Sequence, residues 1–244
     1  MKRAFADLHL KVNPKDAQNL QHAINRAAKF GYKILSVPYT FEPSTEEVLN
    51  LKTVCKTAGV DPVLRIDLRP RNENDLMSNL RRYRRKFDVI GVVCENKEIS
   101  RQAAKDRRVD LLNFPNLDYR KRFFDRPEAE LARSGLAALE IDVKPLLVLE
   151  GPARIRFLSC LRREVAIAQN YGVPLVVSSG VGEERFMHMP RDMASLSYLF
   201  GLGTVEALDA VSVNPLAIVL RNREKLENSF VAPGIRLIKE GIDS

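Results

Sequence analysis

The sequence predicts an α/β fold, a TIM-like (β/α) barrel in one domain, on three observations. Short apolar runs alternate with amphipathic stretches along nearly the whole chain. Three of those stretches close on a glycine that leads almost at once into the next apolar run. The 244 residues match the roughly 250 that eight strand–helix units need. Strict alternation implies parallel strands joined by right-handed crossovers. An open doubly wound sheet is the alternative, but no Gly-x-Gly-x-x-Gly turn supports it.

Strands are expected near 4–9, 34–38, 63–68, 88–94, 109–112, 136–143, 174–178 and 211–213. Helices are expected near 14–30, 45–58, 73–86, 97–105, 127–134, 152–171, 191–200 and 215–227. Asn13-Pro14 reads as a capping side chain before a proline in the first turn, and Asn214-Pro215 repeats it. Leu20, Ile24 and Ala27 form one helical stripe; Leu51, Val54, Cys55 and Ala58 form another behind the capping box Ser44-Thr45-Glu46-Glu47. Gly31, Gly59 and Gly172 supply left-handed helix ends before Ile34-Leu35-Ser36-Val37, Val63-Leu64-Arg65-Ile66 and Leu175-Val176-Val177-Ser178. These runs suit strands buried on both faces. Pro190-Arg191-Asp192 starts a helix, the acid complementing its dipole. Residues 1–227 make the barrel domain, and 228–244, with Pro233 and Gly234, a partly ordered C-terminal tail.

Lys+Arg number 39 against 31 Asp+Glu, a net charge of +8. That balance favours a polyanionic partner, nucleic acid being the commonest; a heat-adapted surface rich in ion pairs is the plainer reading. Cys55, Cys94 and Cys160 are scattered, without a CxxC pair, and read as reduced core thiols of a cytoplasmic protein. Met1-Lys2-Arg3 leads into Asp7 and His9, so the start is no signal segment, and no run approaches a membrane span.

Barrel sites gather where strands end. Those positions include Asp7, His9, Ser36, Tyr39, Asp67, Arg69, Glu95, Asn113, Lys144, Ser178, Ser179 and Asn214. The expected polar cluster at the mouth is Asp7, His9, Asp67, Ser178, Ser179 and Arg191, with Arg191 paired to Asp7 or Asp67. Three histidines are too few for a metal cluster, so no metal ligand and no catalytic residue is assigned. Ser178-Ser179-Gly180 is either a phosphate-holding turn or a plain βα loop.

The basic clusters are the positive signal. Leu76, Leu80, Tyr83 and Phe87 make a buried stripe, which leaves Arg81, Arg82, Arg84, Arg85 and Lys86 to cover the exposed sides. Arg101, Lys105, Arg107 and Arg108 follow. Tyr119-Arg120-Lys121-Arg122-Phe123-Phe124 interleaves aromatics with cations, as single-stranded RNA contacts do. The RNA-binding set expected from these is Arg69, Arg81, Arg85, Arg107, Arg120, Lys121, Arg122, Lys144 and Arg185. The rival use of these cations is to dock an acidic face of a partner protein.

The opening Asp7-Leu8-His9 resembles the start of a PHP-type metallohydrolase, in which His-x-His binds metal. Here the second imidazole position is Lys11, and the last expected strand offers Asn214 in place of a closing Asp-x-His. A Ser-Ser turn, a polar loop and then Pro190-Arg191-Asp192 before an apolar helix resembles the ribonuclease P protein component 3 family, archaeal counterparts of the eukaryotic 30-kDa subunit. Phe5-Ala6-Asp7-Leu8-His9, Lys144-Pro145-Leu146-Leu147 and Ser212-Val213-Asn214-Pro215 fit the same family, over residues 4–225. The matched positions are Asp7, His9, Lys144, Ser178, Ser179, Arg185, Pro190, Arg191 and Asp192. The resemblance implies a PHP-related barrel that has lost its metal site. It implies a subunit of the ribonucleoprotein that removes 5′ leaders from precursor tRNA, where the RNA hydrolyses the bond with Mg²⁺ and the chain binds no cofactor. It implies as partners the catalytic RNA, precursor tRNA and a small Pop5-type protein. The alternative is a PHP-type metal-dependent phosphoesterase.

Overall fold

The computed structural model describes residues 3–115, 122–227, 230–232 and 235–236. In chain order the strands are β1 (Phe5–Asp7), β2 (Tyr32–Tyr39), β3 (Asp61–Leu68), β4 (Val89–Val93), β5 (Leu111–Asn113), β6 (Ala138–Asp142), β7 (Leu175–Ser178), β8 (Phe230–Ala232) and β9 (Ile235–Arg236). The helices are α1 (Ala17–Phe30), α2 (Thr45–Ala58), α3 (Glu73–Tyr83), α4 (Lys97–Lys105), α5 (Arg126–Gly135), α6 (Lys144–Val148), α7 (Gly151–Tyr171), α8 (Pro190–Ser197), α9 (Thr204–Ala210) and α10 (Val213–Leu226). The first seven strands pair in parallel, in chain order. The ring is drawn together beyond β1 and β7, where Gly180 N–H donates to the His9 carbonyl at 3.0 Å and Lys11 N–H to the Val181 carbonyl at 2.8 Å. This is the TIM-like α/β barrel the alternation predicts.

The expected strand at 211–213 does not form. Val211 and Ser212 link α9 to α10, and Val213 is already helical. Three residues offer a sheet little, whereas Pro215, Ile218, Val219 and Asn222 have helical spacing and are buried. Ile218 and Val219 plug the lower end of the barrel against Ala6, Leu8, Ile34, Val63, Val89, Leu111, Ala138 and Val176. The helix floor thus stands where the eighth strand was expected.

Local signals are mostly obeyed. Gly31, Gly59 and Gly172 close their helices at φ 97°, 70° and 65°. Ser44 and Glu47 form the reciprocal capping box. At the first helix the cap is Asp16, whose carboxylate accepts from Asn19 N–H at 3.0 Å; Asn13 instead closes a turn by accepting from Lys15 N–H. The helix therefore starts three residues later than Asn13-Pro14 suggests. The described part of the tail is the antiparallel pair β8–β9. All three cysteines are buried free thiols. Among the described residues no helix is long and apolar enough to cross a membrane.

Strand alternation sorts the side chains into two cores. Leu139, Ile141, Ile66 and Leu68 face the helices. The inward series is apolar at the floor, then polar: Val63 is followed by Arg65 and Asp67, Ala138 by Glu140 and Asp142, Leu111 by Asn113, Val176 by Ser178. The barrel is apolar below and charged at the mouth.

Candidate functional site

Arg65 is the centre of the mouth and has no exposed surface. Its guanidinium makes a two-pronged pair with Glu140, both prongs at 2.6 Å, and donates to Asp67 at 2.7 Å and to the Leu8 carbonyl at 2.8 Å. Asn113 and Ser178 donate to the same Glu140 carboxylate at 2.9 and 2.8 Å. Gly91 makes room: a Cβ there would lie 2.6 Å from Asp67 Oδ1 and 3.0 Å from Arg65 Nη2.

His9 lies above Arg65. Its Nδ1 is 2.7 Å from Asp142 Oδ1 and its Nε2 is 2.9 Å from Asp67 Oδ2. Two ring nitrogens facing two carboxylates require two N–H donors, so the ring is an imidazolium. Burial and the neighbouring Arg65 charge push its pKa down, but Asp142, Asp67 and Glu140 overcome them and raise it to about 9. Asp67 and Asp142 are held well below the usual carboxylate range: burial raises each, and is outweighed by Arg65 and His9 for the first and by His9 and Lys11 for the second. Lys11 Nζ reaches Asp142 at 2.9 Å. Asp7 accepts from the backbone N–H of His9 and of Ser179, and burial raises its pKa.

Three carboxylates, Asp67, Glu140 and Asp142, thus meet three cations, His9, Arg65 and Lys11. The donor atoms of His9, Glu140 and Asp142 lie within 4.8 Å of one another, the spacing of a metal site. The residues do not fit a resident cation, however. Both imidazole nitrogens carry protons, Arg65 occupies both Glu140 oxygens, and Lys11 supplies positive charge at the open side. His9, with 2% of its surface exposed, has no free lone pair with which to act as a base. The arrangement is an ionic brace across β1, β3 and β6.

Asp7, His9, Asp67, Ser178 and Ser179 come together as the sequence predicts. Arg191 does not: α8 begins at Pro190 as expected, but Arg191 is exposed and has no carboxylate partner among the described residues. The Ser178-Ser179-Gly180 turn is a plain βα loop, since Ser179 and Gly180 spend their N–H groups on Asp7 and the His9 carbonyl. Asn214 is at the opposite end from the mouth, donating to the Leu175 carbonyl at the start of β7. Arg65, Glu140 and Asp142 were missed by the sequence reading. Their signal is a charged residue inside an apolar strand, repeated two residues on: Arg65 with Asp67, Glu140 with Asp142.

The expected RNA-binding residues are divided. Arg69, Lys144 and Arg185 follow β3, β6 and β7 at the mouth, where they pair with Glu95, Glu183 and Glu183. Arg81, Arg85 and Arg107 are exposed at the ends of α3 and α4, toward the floor. The two groups therefore stand at opposite ends of the barrel. Arg120 and Lys121 lie outside the described residues. Arg122 is a correction: it is buried, its guanidinium pairs with Glu164 on α7, and it stacks 5.2 Å from the Phe157 ring. Arg84 also turns inward, to Asp110 at 2.6 Å, and does not cover an exposed side.

Fold and site define a class: a TIM-like barrel whose mouth is closed by internal ion pairs. The chain belongs to the RNase P subunit p30 family, whose model matches residues 4–227. It is 32% identical over 176 residues to ribonuclease P protein component 3 of Methanosarcina barkeri, covering 72% of each chain. It is 28% identical to the Methanosarcina acetivorans protein of the same name, covering 99% of this chain and 96% of that one. The fold matches a chain in a structure of archaeal ribonuclease P with mature tRNA at TM-score 0.81 and 21% identity, over 96% of this chain and 98% of the other.

Proposed function

We propose that this chain is a non-catalytic protein subunit of ribonuclease P. It supports removal of the 5′ leader from precursor tRNA by binding and stabilising the catalytic RNA. The observation that carries this reading is the family match across residues 4–227. The cancelled charges of the mouth support it: Arg65, Lys11 and a doubly protonated His9 stand where a phosphoesterase needs free ligands and a base. In this reading Mg²⁺ serves the RNA, the chain holds no cofactor, and a small Pop5-type protein is its neighbour in the particle. In this reading the exposed arginines serve as phosphate contacts, which position an RNA without reading its bases.

Reconstitution tests this. The chain, the cognate catalytic RNA and the small protein partner should together cleave precursor tRNA in Mg²⁺ better than the RNA with the partner alone. Stoichiometric Mn²⁺ or Zn²⁺ on the purified chain, with phosphodiester hydrolysis abolished by His9→Ala, would establish the phosphoesterase instead.

A further inference from the structure

The cations at the two ends of the barrel differ in what occupies them. At the mouth Arg69, Lys144 and Arg185 each have a carboxylate partner, while Arg191 has none among the described residues. At the floor, five cations, Arg84, Arg85, Arg107, Arg108 and Lys225, line one groove of about 600 Å³ against a single lining acid among the described residues, Glu227, with Leu226 and Phe230 at its edge. Arg84 is spent on Asp110 and Arg108 on Asp106. No hydrogen bond or ion pair among the described residues occupies the side chains of Arg85, Arg107 or Lys225. Arg221 adds a further cation nearby, itself held by Asp110 at 3.0 Å. One carboxylate, Asp110, thus serves two arginines. The Lys225 ammonium is pushed below its ordinary pKa, first by burial and then by the charges of Arg221, Arg84 and Arg107, which together outweigh the opposing pull of Asp110.

We infer that the groove at the closed end of the barrel, between the ends of α3 and α4 and the last turn of α10, is where this subunit holds the RNA backbone. The inference rests on the reading of the chain as an RNA-binding subunit and adds which face does the binding. Phosphates suit the groove because they bring charge and no apolar surface, and Arg84 and Arg108, oriented by their carboxylates, present a fixed frame around the three unpaired cations. A phosphate seated there also removes the crowding at Lys225. The barrel end opposite the conventional site would then be the working face, and α10, whose Asn222 and Arg223 tie it to the lower ends of β3 and β4, would set its shape.

The test uses the full chain and the cognate catalytic RNA, titrated from roughly 0.1 to 0.5 M salt. A groove variant, Arg85→Gln with Arg107→Gln and Lys225→Gln, is compared with a mouth variant, Arg69→Gln with Lys144→Gln and Arg185→Gln. The groove variant should lose at least roughly tenfold in affinity at low salt, and its log–log salt slope should flatten by about 2, at 0.7 to 0.9 per phosphate contact. The mouth variant should keep the wild-type slope. Arg85→Lys with Arg107→Lys should retain most of the slope, which separates charge from folding. A groove variant with unchanged RNA binding overturns the inference, above all if it loses the small protein partner, since the groove is then a protein-docking surface. A wild-type chain that leaves the catalytic RNA unbound overturns the subunit reading as well.

Discussion

At the scale of residues, the mouth is held by charges that satisfy one another, and this makes it sensitive to single changes. Arg65→Met should lower the unfolding free energy by about 3 to 5 kcal/mol, because Glu140 and Asp67 would remain buried without their cation. Urea unfolding measures it, and Arg65→Lys should recover only part, since an ammonium cannot reproduce the two-pronged pair. His9 sets a pH dependence of definite sign. Its folded pKa of about 9 is raised from 6.5, so its contribution is fully present below about pH 6.5 and lost as pH rises through 9. The rise is worth about 3 kcal/mol. Urea midpoints should therefore fall between pH 6.5 and 9.5 in the wild type and stay flatter in His9→Gln. Asp67 and Asp142 act in the other direction, their depressed pKa values giving stability that is lost as pH falls below 3.8.

At the scale of elements, two contacts join pieces far apart in sequence. Arg122, just before α5, reaches Glu164 on α7, and neither side chain is exposed. Arg122→Ala should cost about 3 to 5 kcal/mol, and Arg122→Leu with Glu164→Leu should return most of that by removing both charges. A thermal denaturation series distinguishes this from a surface role, in which the single change would be nearly silent. The floor helix α10 is the second. Ile218→Ala should cost about 2 to 4 kcal/mol by opening a cavity, while Leu220→Ala, on the 56% exposed side, should stay within about 0.5. Comparable losses from both would mean that α10 does not plug the barrel as described.

At the scale of the whole molecule, the charges are placed unevenly: balanced inside the mouth, and in excess in the groove at the floor. A chain of net charge +8 attracts polyanions in general, but placement decides which surface they reach. The same balance argues against divalent cations at the mouth. Adding Mn²⁺ or Zn²⁺ should leave the melting temperature unchanged, whereas a specific site would raise it by mass action. A concentration-dependent rise, lost in Asp142→Asn, would show that the brace opens to admit metal.

The sequence alone determined the barrel, because parallel strand–helix repeats carry their signals locally: the Gly31, Gly59 and Gly172 helix ends, the Ser44–Glu47 box and the stripes over Leu20 or Leu76 each need only neighbouring residues. It also assigned Asp7, His9, Asp67 and the two serines to one end of the barrel. Only the tertiary structure decided that the eighth position is a helix, since the burial of Ile218 and Val219 depends on a floor made by seven strands. It alone placed Arg65 against Glu140, 75 residues away, and withdrew Arg122 from the surface into the company of Glu164. A charged residue in a sequence carries no record of its partner. Whether it is a free cation for RNA or half of a buried pair depends on a carboxylate that arrives from another strand or helix, and that meeting exists only after the chain has folded.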